Sequence, residues 1–187
     1  MIIALIPVGE SRRLPKKHFL KLGEKQVLEI IVDKLLNSKL FDEVALYSTT
    51  PIKIENTLLL IDENKEGPLK ALIKALNIFD KNIFLLAGDM PFFEVEQIRK
   101  MLVYPEKLSI IPKWNSGYIE PLHALYSVSS TAYEIKKSFH EFIDQIPKLF
   151  LRAEDFPSYE FFNMNTFQEY EMAKKIYEKN AIKKHEI

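Results

Sequence analysis

The 187-residue chain contains no cysteine. Disulfides, thiolate metal sites and a cysteine nucleophile are therefore excluded. It also carries no excess of charge, with 26 Lys+Arg against 26 Asp+Glu and a formal net charge of zero. That balance argues against the broad basic surface with which proteins hold nucleic acid. No apolar run approaches the roughly 20 residues needed to cross a bilayer. The first apolar run begins at Ile2, directly after Met1, with no charged leader and no small-residue cleavage site. A soluble, cytoplasmic protein with neither nucleic-acid nor membrane partners is expected. The chain also lacks a Walker A loop and a Gly-x-Ser-x-Gly elbow, and no two of its four histidines have metal-ligand spacing.

What is present is a repeating pattern. Hydrophobic residues make up 47% of the chain, enough for a full core. Short apolar runs alternate with amphipathic helical segments, which predicts a parallel sheet with crossover helices. The length suits one α/β domain over residues 1–187.

Ile2–Val8 is a continuous apolar run, as expected of a strand buried on both faces. A basic loop spans Gly9–Gly23. Val27–Leu40 has apolar residues at 27, 28, 31, 32, 35 and 36, a helical spacing. Glu43–Ser48 and Thr57–Ile61 read as strands. Gly67-Pro68 opens a helix over 69–79, with proline at a favoured first-turn position. Asn82–Ala87 reads as a buried strand stopped by Pro91, and Glu94–Val103 as a helix. Leu108–Ile111 and Leu122–Val128 read as strands joined by a hairpin-like loop at Trp114–Glu120. Ser130–Ile143 is expected to be helical and Glu160–Phe162 a short strand. Asn165 or Thr166 is expected to cap a last helix running through Tyr177.

Four places could carry chemistry. The loop Pro7-Val8-Gly9-Glu10-Ser11-Arg12-Arg13-Leu14-Pro15-Lys16-Lys17-His18 packs four cationic side chains into six residues at the end of the first strand. Open α/β sheets bind ligands there, and Arg and Lys suit phosphate oxygens. A solvated basic loop is the competing reading. Asp89 follows the run Ile83-Phe84-Leu85-Leu86-Ala87 and sits at a strand tip, where one carboxylate suffices for Mg²⁺ shared with substrate phosphates. A turn or capping aspartate before Pro91 is the plain alternative. Asp62 also lies at a strand end, among Glu63 and Glu66. Asn163 and Asn165 flank a strand-to-helix junction, and an amide offers a ligand both donor and acceptor. A pure helix cap would account for Asn165 but less well for Asn163.

In this order the segments resemble the molybdenum cofactor guanylyltransferase family. The resemblance runs from Met1 to about Lys175. The family opens with a strand, Leu-Ala-Gly-Gly, Ser-x-Arg-Met-Gly and a lysine before Leu-Leu-Pro-Leu-Gly-Gly. Here these are Ile6-Pro7-Val8-Gly9, Ser11-Arg12-Arg13-Leu14 and Lys17-His18-Phe19-Leu20-Lys21-Leu22-Gly23. Gly-Pro-Leu-Ala-Gly appears as Gly67-Pro68-Leu69-Lys70-Ala71, and Cys-Asp-x-Pro as Gly88-Asp89-Met90-Pro91. Gln-Pro-Leu-x-Ala-Leu-Tyr appears as Glu120-Pro121-Leu122-His123-Ala124-Leu125-Tyr126, and Phe-x-Asn-x-Asn-Thr as Phe161-Phe162-Asn163-Met164-Asn165-Thr166. Pro7 and Val8 replace an alanine and a glycine whose backbone, in the family, packs under the guanine.

The resemblance implies a nucleotide-diphospho-sugar-transferase-like fold: a three-layer α/β/α domain with a mostly parallel, Rossmann-like sheet. It implies transfer of GMP from GTP to the phosphate of molybdopterin, with release of pyrophosphate. Lys17, Arg13 and Asp89 would be catalytic, with Asp89 holding Mg²⁺. Pro7, Val8, Gly9, Arg13, Lys17, Asp62, Gly67, Asp89, Asn163 and Asn165 would line the nucleotide and acceptor site. GTP and a molybdopterin-type acceptor would be the partners, with molybdoenzyme maturation proteins as further ones. Two alternatives stay open. One is a nucleotidyltransferase of the same fold using CTP or another acceptor, because Lys17–Gly23 also resembles a cytidylyltransferase stretch. The other is a non-catalytic nucleotide-binding homologue.

Overall fold

The computed structural model describes residues 1–134 and 137–185, with side chains through Asn180. The first run forms strand β1 (Ile2–Val8). After a 3-10 turn at Lys17–Phe19, the short strands β2 (Lys21–Leu22) and β3 (Lys25–Gln26) pair as a small hairpin leading into α1 (Val27–Ser38). Then come β4 (Glu43–Ser48), β5 (Leu58–Ile61), α2 (Pro68–Phe79), β6 (Asn82–Leu86) and α3 (Val95–Met101). The second half adds β7 (Ser109–Lys113), β8 (His123–Tyr126), α4 (Phe139–Gln145), β9 (Lys148–Arg152) and α5 (Phe167–His185).

Seven strands form one sheet in the order β5-β4-β1-β6-β8-β7-β9. Only β8 runs against the rest, pairing antiparallel with β6 and β7. Successive side chains of a strand face opposite sides, and both sides are covered. Ala4, Ile6, Phe84 and Leu86 pack against α1 and α3, with Ala173 of α5 in the same cluster. Ile3, Leu5, Ile83 and Leu85 pack against α2 and α4. This is the mostly parallel sheet with crossover helices that the alternating pattern predicts, in the three layers that the family resemblance implies.

The strand order places a switch at the centre. From β1 the chain steps outward to β4 and β5, then returns to the other side of β1 as β6. In open α/β sheets the crevice at the carboxyl ends of such a strand pair is where ligands bind. The β1–β6 ladder ends at Leu5↔Leu85, and the two strand ends part beyond it. Pro7 lies past that last pair, so its missing N–H forfeits no bond to β6.

Two expectations fail, and one strand of the main sheet was not foreseen. Ser130–Ile143 is not one helix: Val128–Ala132 is a 3-10 turn and α4 starts only at Phe139, with residues 135–136 outside the described chain. The Ser127 side chain accepts from the Ser129 amide and turns the backbone, and Ser138 then caps a fresh start. Strand β9 has no counterpart in the sequence reading. It pairs parallel with β7 through Ser109↔Lys148 to Lys113↔Arg152. Glu160–Phe162 is a turn rather than a strand, because Glu160 points inward and receives the Glu94 amide at 2.9 Å.

The last helix settles which residue caps it. Thr166 Oγ1 accepts from the Glu169 amide at 3.2 Å, while the Glu169 carboxylate accepts from the Asn165 amide at 2.8 Å. This arrangement resembles a capping box and leaves the Asn165 side chain free for other work. Replacing Thr166 with Ala is expected to lower unfolding free energy by about 1 kcal/mol, the usual worth of an N-cap. Urea unfolding measures this directly.

Candidate active site

Loops from the carboxyl ends of β1, β4, β5 and β6, with the segment before α5, enclose a cavity of about 340 Å³. At one end stand Lys17, Asp89, Asn163 and Asn165, and at the other Tyr47, Asp62, Gly67 and Pro68. Pro7, Val8 and Gly9 form the wall between them.

Asp89 is set by its turn. Ala87 N–H donates to Leu122 C=O at 2.8 Å, and Met90 N–H reaches back to Ala87 C=O at 3.3 Å. The Asp89 carbonyl receives the Met164 amide at 3.1 Å, which ties this turn to the asparagine segment. Met164 is fully buried, so the asparagines on either side of it share a firm base. Lys17 Nζ donates to Asp89 Oδ2 and, at 2.8 Å, to Asn165 Oδ1. Asn163 donates to the Phe161 carbonyl at 3.2 Å and lines the same end.

At the far end Asp62 is 6% exposed, and its Oδ1 accepts from the Glu66 amide at 3.0 Å. That bond folds residues 62–66 into a tight loop delivering Gly67. Gly67 has φ 83 and ψ −179, a conformation essentially restricted to glycine. Pro68 then starts α2. The Tyr47 hydroxyl is buried beside Asp62. Burial, and next the negative charge of Asp62, push its pKa up to about 12.

His18, which sequence reasoning passed over, is 4% exposed and lies between the two strand ends. Its Nδ1 is 2.7 Å from Gly88 C=O and its Nε2 3.1 Å from Gly9 C=O. Desolvation lowers its pKa, against the opposing pull of the Gly88 carbonyl and Asp89.

The predicted site residues thus separate into groups. Pro7, Val8, Gly9, Lys17, Asp62, Gly67, Asp89, Asn163 and Asn165 all line one cavity. The Val8 side chain belongs to the buried cluster that includes Leu14, so the valine in place of glycine is accommodated by the core. Arg13 is exposed and lines neither this cavity nor its neighbour, a space of about 660 Å³ bordered by Arg12, Lys16 and Phe19.

A second buried group also escaped sequence reasoning. His123 Nε2 is 3.1 Å from Glu160 Oε1, both side chains fully buried, with Phe84, Phe156 and Phe161 around the imidazole. Glu120 nearby accepts from Trp114 Nε1 at 2.7 Å, and burial raises its pKa. Only the pairing of a histidine with two glutamates across some 40 residues could have signalled this, and no local pattern carries it.

Among the described residues no three His, Cys, Asp or Glu side chains cluster as a metal cage. One buried carboxylate with amide oxygens beside it suits a hard divalent ion that takes its remaining ligands from phosphate and water. It does not suit a structural zinc site.

A switch-point crevice with a lysine, an aspartate and a Gly-Pro helix start defines a nucleotide-handling α/β enzyme, and the comparisons give its family. Residues 8–147 match the model of the MobA-like NTP transferase domain, and the chain belongs to that family of nucleotidyltransferases. It is 30% identical over 190 residues to a probable molybdenum cofactor guanylyltransferase of Natranaerobius thermophilus, covering 89% of this chain and 91% of that one. The fold matches molybdopterin-guanine dinucleotide biosynthesis protein A from Archaeoglobus fulgidus with a TM-score of 0.77 at 22% identity, covering 96% of this chain and 100% of the other. It also matches a Mycobacterium tuberculosis H37Rv protein solved in complex with manganese, with a TM-score of 0.66 at 17% identity over 93% of this chain and 97% of that one. The two solved structures share the fold, and the Natranaerobius relative shares the sequence along nearly the whole of both chains. Among the described residues no helix is long and apolar enough to cross a membrane.

Proposed function

We propose that the chain transfers GMP from GTP to the terminal phosphate of a molybdopterin-type acceptor, with Mg²⁺ held at Asp89. The observation that carries this is the convergence of Lys17, Asp89 and Asn165 at one end of a cavity whose other end offers Asp62 and Gly67. The spacing suits a ligand with a base at one end and phosphates at the other.

An acceptor phosphate oxygen attacks the α-phosphorus of GTP in line, the bond to the β-phosphate oxygen breaks, and pyrophosphate leaves with the electron pair. Such a reaction asks the protein mainly for positioning and charge neutralisation. Lys17 moves from Asp89 to the phosphates, with the Asn165 amide steering its ammonium. Arg13, exposed on the same loop, supplies a second cation to the leaving pyrophosphate. Asp62 accepts from the adjacent N–H groups of guanine, a pairing that the acceptor atoms of cytosine do not offer, because an ionised carboxylate only accepts. Asn163 and Asn165 face the acceptor. The divalent ion, when bound, screens the phosphate charges and polarises the reacting phosphorus.

Thermal shift with Mg²⁺ and a panel of nucleotides tests the reading. GTP is expected to stabilise the chain most, and pyrophosphate to appear when the acceptor is added. Stronger stabilisation by CTP would replace guanylyl with cytidylyl transfer. Nucleotide binding without any pyrophosphate would mark a non-catalytic homologue.

A further inference from the structure

The switch point that opens the cavity leaves the ends of β1 and β6 unpaired with each other, though each keeps its outer neighbour. β1 and β6 share their ladder only to Leu5↔Leu85. Beyond it the chain continues as Val8-Gly9 on one side and Ala87-Gly88 on the other. The Gly88 carbonyl is buried and needs a donor, and one imidazole lies against it and against the carbonyl of the exposed Gly9. His18 places Nδ1 2.7 Å from Gly88 C=O and Nε2 3.1 Å from Gly9 C=O. The side chain at position 88 has to be absent for this to happen. A Cβ on Gly88 would stand 2.9 Å from His18 Nδ1 and 3.2 Å from Cε1.

The two bridged residues are not arbitrary. Gly9 begins the loop that carries the cations, and Gly88 immediately precedes Asp89. The 3-10 turn Lys17–Phe19 sends Lys17 towards the cavity and His18 inward. The seat of the ring therefore fixes three things at once: the loop after β1, the turn of Asp89, and the root of Lys17. A neutral ring has one N–H and donates to one carbonyl at a time, and the shorter contact points to Gly88 as the acceptor.

We infer that His18 is a positioning residue for nucleotidyl transfer. Its hydrogen bond holds the Gly88 turn at the end of β6 and its ring packs against Gly9 at the end of β1, so that Lys17 and Asp89 address the same phosphate group. This rests on the function proposed above. It concerns geometry rather than binding, so its loss falls on kcat more than on KM. A misplacement of about 1 Å at reacting groups lowers rates by roughly 100-fold.

Five variants test it. His18→Leu fills the volume without a hydrogen bond, whereas His18→Asn keeps an amide N–H near the Nδ1 position. His18→Leu is expected to lower kcat about 100-fold with KM for GTP within about threefold, and His18→Asn to recover at least about tenfold of that loss. Gly88→Ala displaces the ring and is expected to match His18→Leu, while adding it to His18→Ala costs less, because only the 3.2 Å approach to Ile6 Cγ2 then remains. A kcat for His18→Leu within threefold of wild type overturns the inference. So does an equal loss in His18→Asn, which would mark a packing role only. Absence of pyrophosphate from the wild-type chain with every nucleotide refutes the functional reading instead. The bridge is then judged by amide hydrogen exchange at residues 9–10 and 88–90. Exchange in both segments is expected to quicken together in His18→Leu and to return towards wild type in His18→Asn, and unchanged exchange rejects it.

Discussion

Replacing Asp89 with Asn is expected to lower turnover by roughly three orders of magnitude, as loss of a metal-holding charge worth several kcal/mol would. The exchange is nearly isosteric. The amide can still accept from Lys17, but the ammonium loses its counter-charge, so the unfolding temperature is expected to fall while the fold is kept. Asp89 is buried at the end of the cavity, and Lys17 is its one cationic partner within salt-bridge distance among the described residues. Removing the charge therefore removes the carboxylate that stands beside Lys17 and Asn165 and is available to a divalent ion. Pyrophosphate release and thermal unfolding, measured on the same preparation, separate a lost site from a lost fold. Turnover within tenfold of wild type would move the metal elsewhere.

Replacing Lys17 with Met is expected to act in two opposite directions. With GTP and metal present, kcat falls about 100-fold and KM for GTP rises, because a cation meant for developing phosphate charge is gone. Without nucleotide, however, Mn²⁺ is expected to bind about tenfold more tightly. The Lys17 ammonium donates to Asp89 Oδ2 and is steadied by Asn165 Oδ1. A divalent ion must displace it, and the attraction of two charges at such range is worth about 4 kcal/mol at an effective dielectric constant of 20. Solvent at the cavity mouth reduces that figure, so only part of it is recovered. Electron paramagnetic resonance of free Mn²⁺ measures the affinity. Unchanged Mn²⁺ binding in the variant would mean that Lys17 and the metal do not share an oxygen.

How much of this could be read from the chain depended on how local its cause was. β1 and β6 announce themselves because strands covered on both faces must be apolar throughout. α1 and α2 announce themselves by spacing and, for α2, by Gly67-Pro68. Asp89 followed from being the first polar side chain beyond a buried strand. β9 was missed because Lys148-Leu149-Phe150-Leu151-Arg152 is a short run with charged ends, made a strand only by β7 some 39 residues earlier. The helix expected over Ser130–Ile143 failed because apolar periodicity outweighed the turn formed by Ser127. The contact of Lys17 with Asn165, 148 residues apart, is a product of the fold and has no local signature. His18 was overlooked because its partners are two backbone carbonyls, which any sequence supplies everywhere.

Asp89 serves two loops with two different parts of itself. Its carboxylate takes Lys17, while its carbonyl takes the amide of Met164. Side-chain exchange reaches only the first. Every variant at position 89 keeps the peptide group that moors the asparagine segment, so a substitution series there varies charge against a fixed architectural background. The position is thus a clean dial for the electrostatics of the reaction, and the mooring itself is open to test only from the other end, by a residue without an N–H at 164.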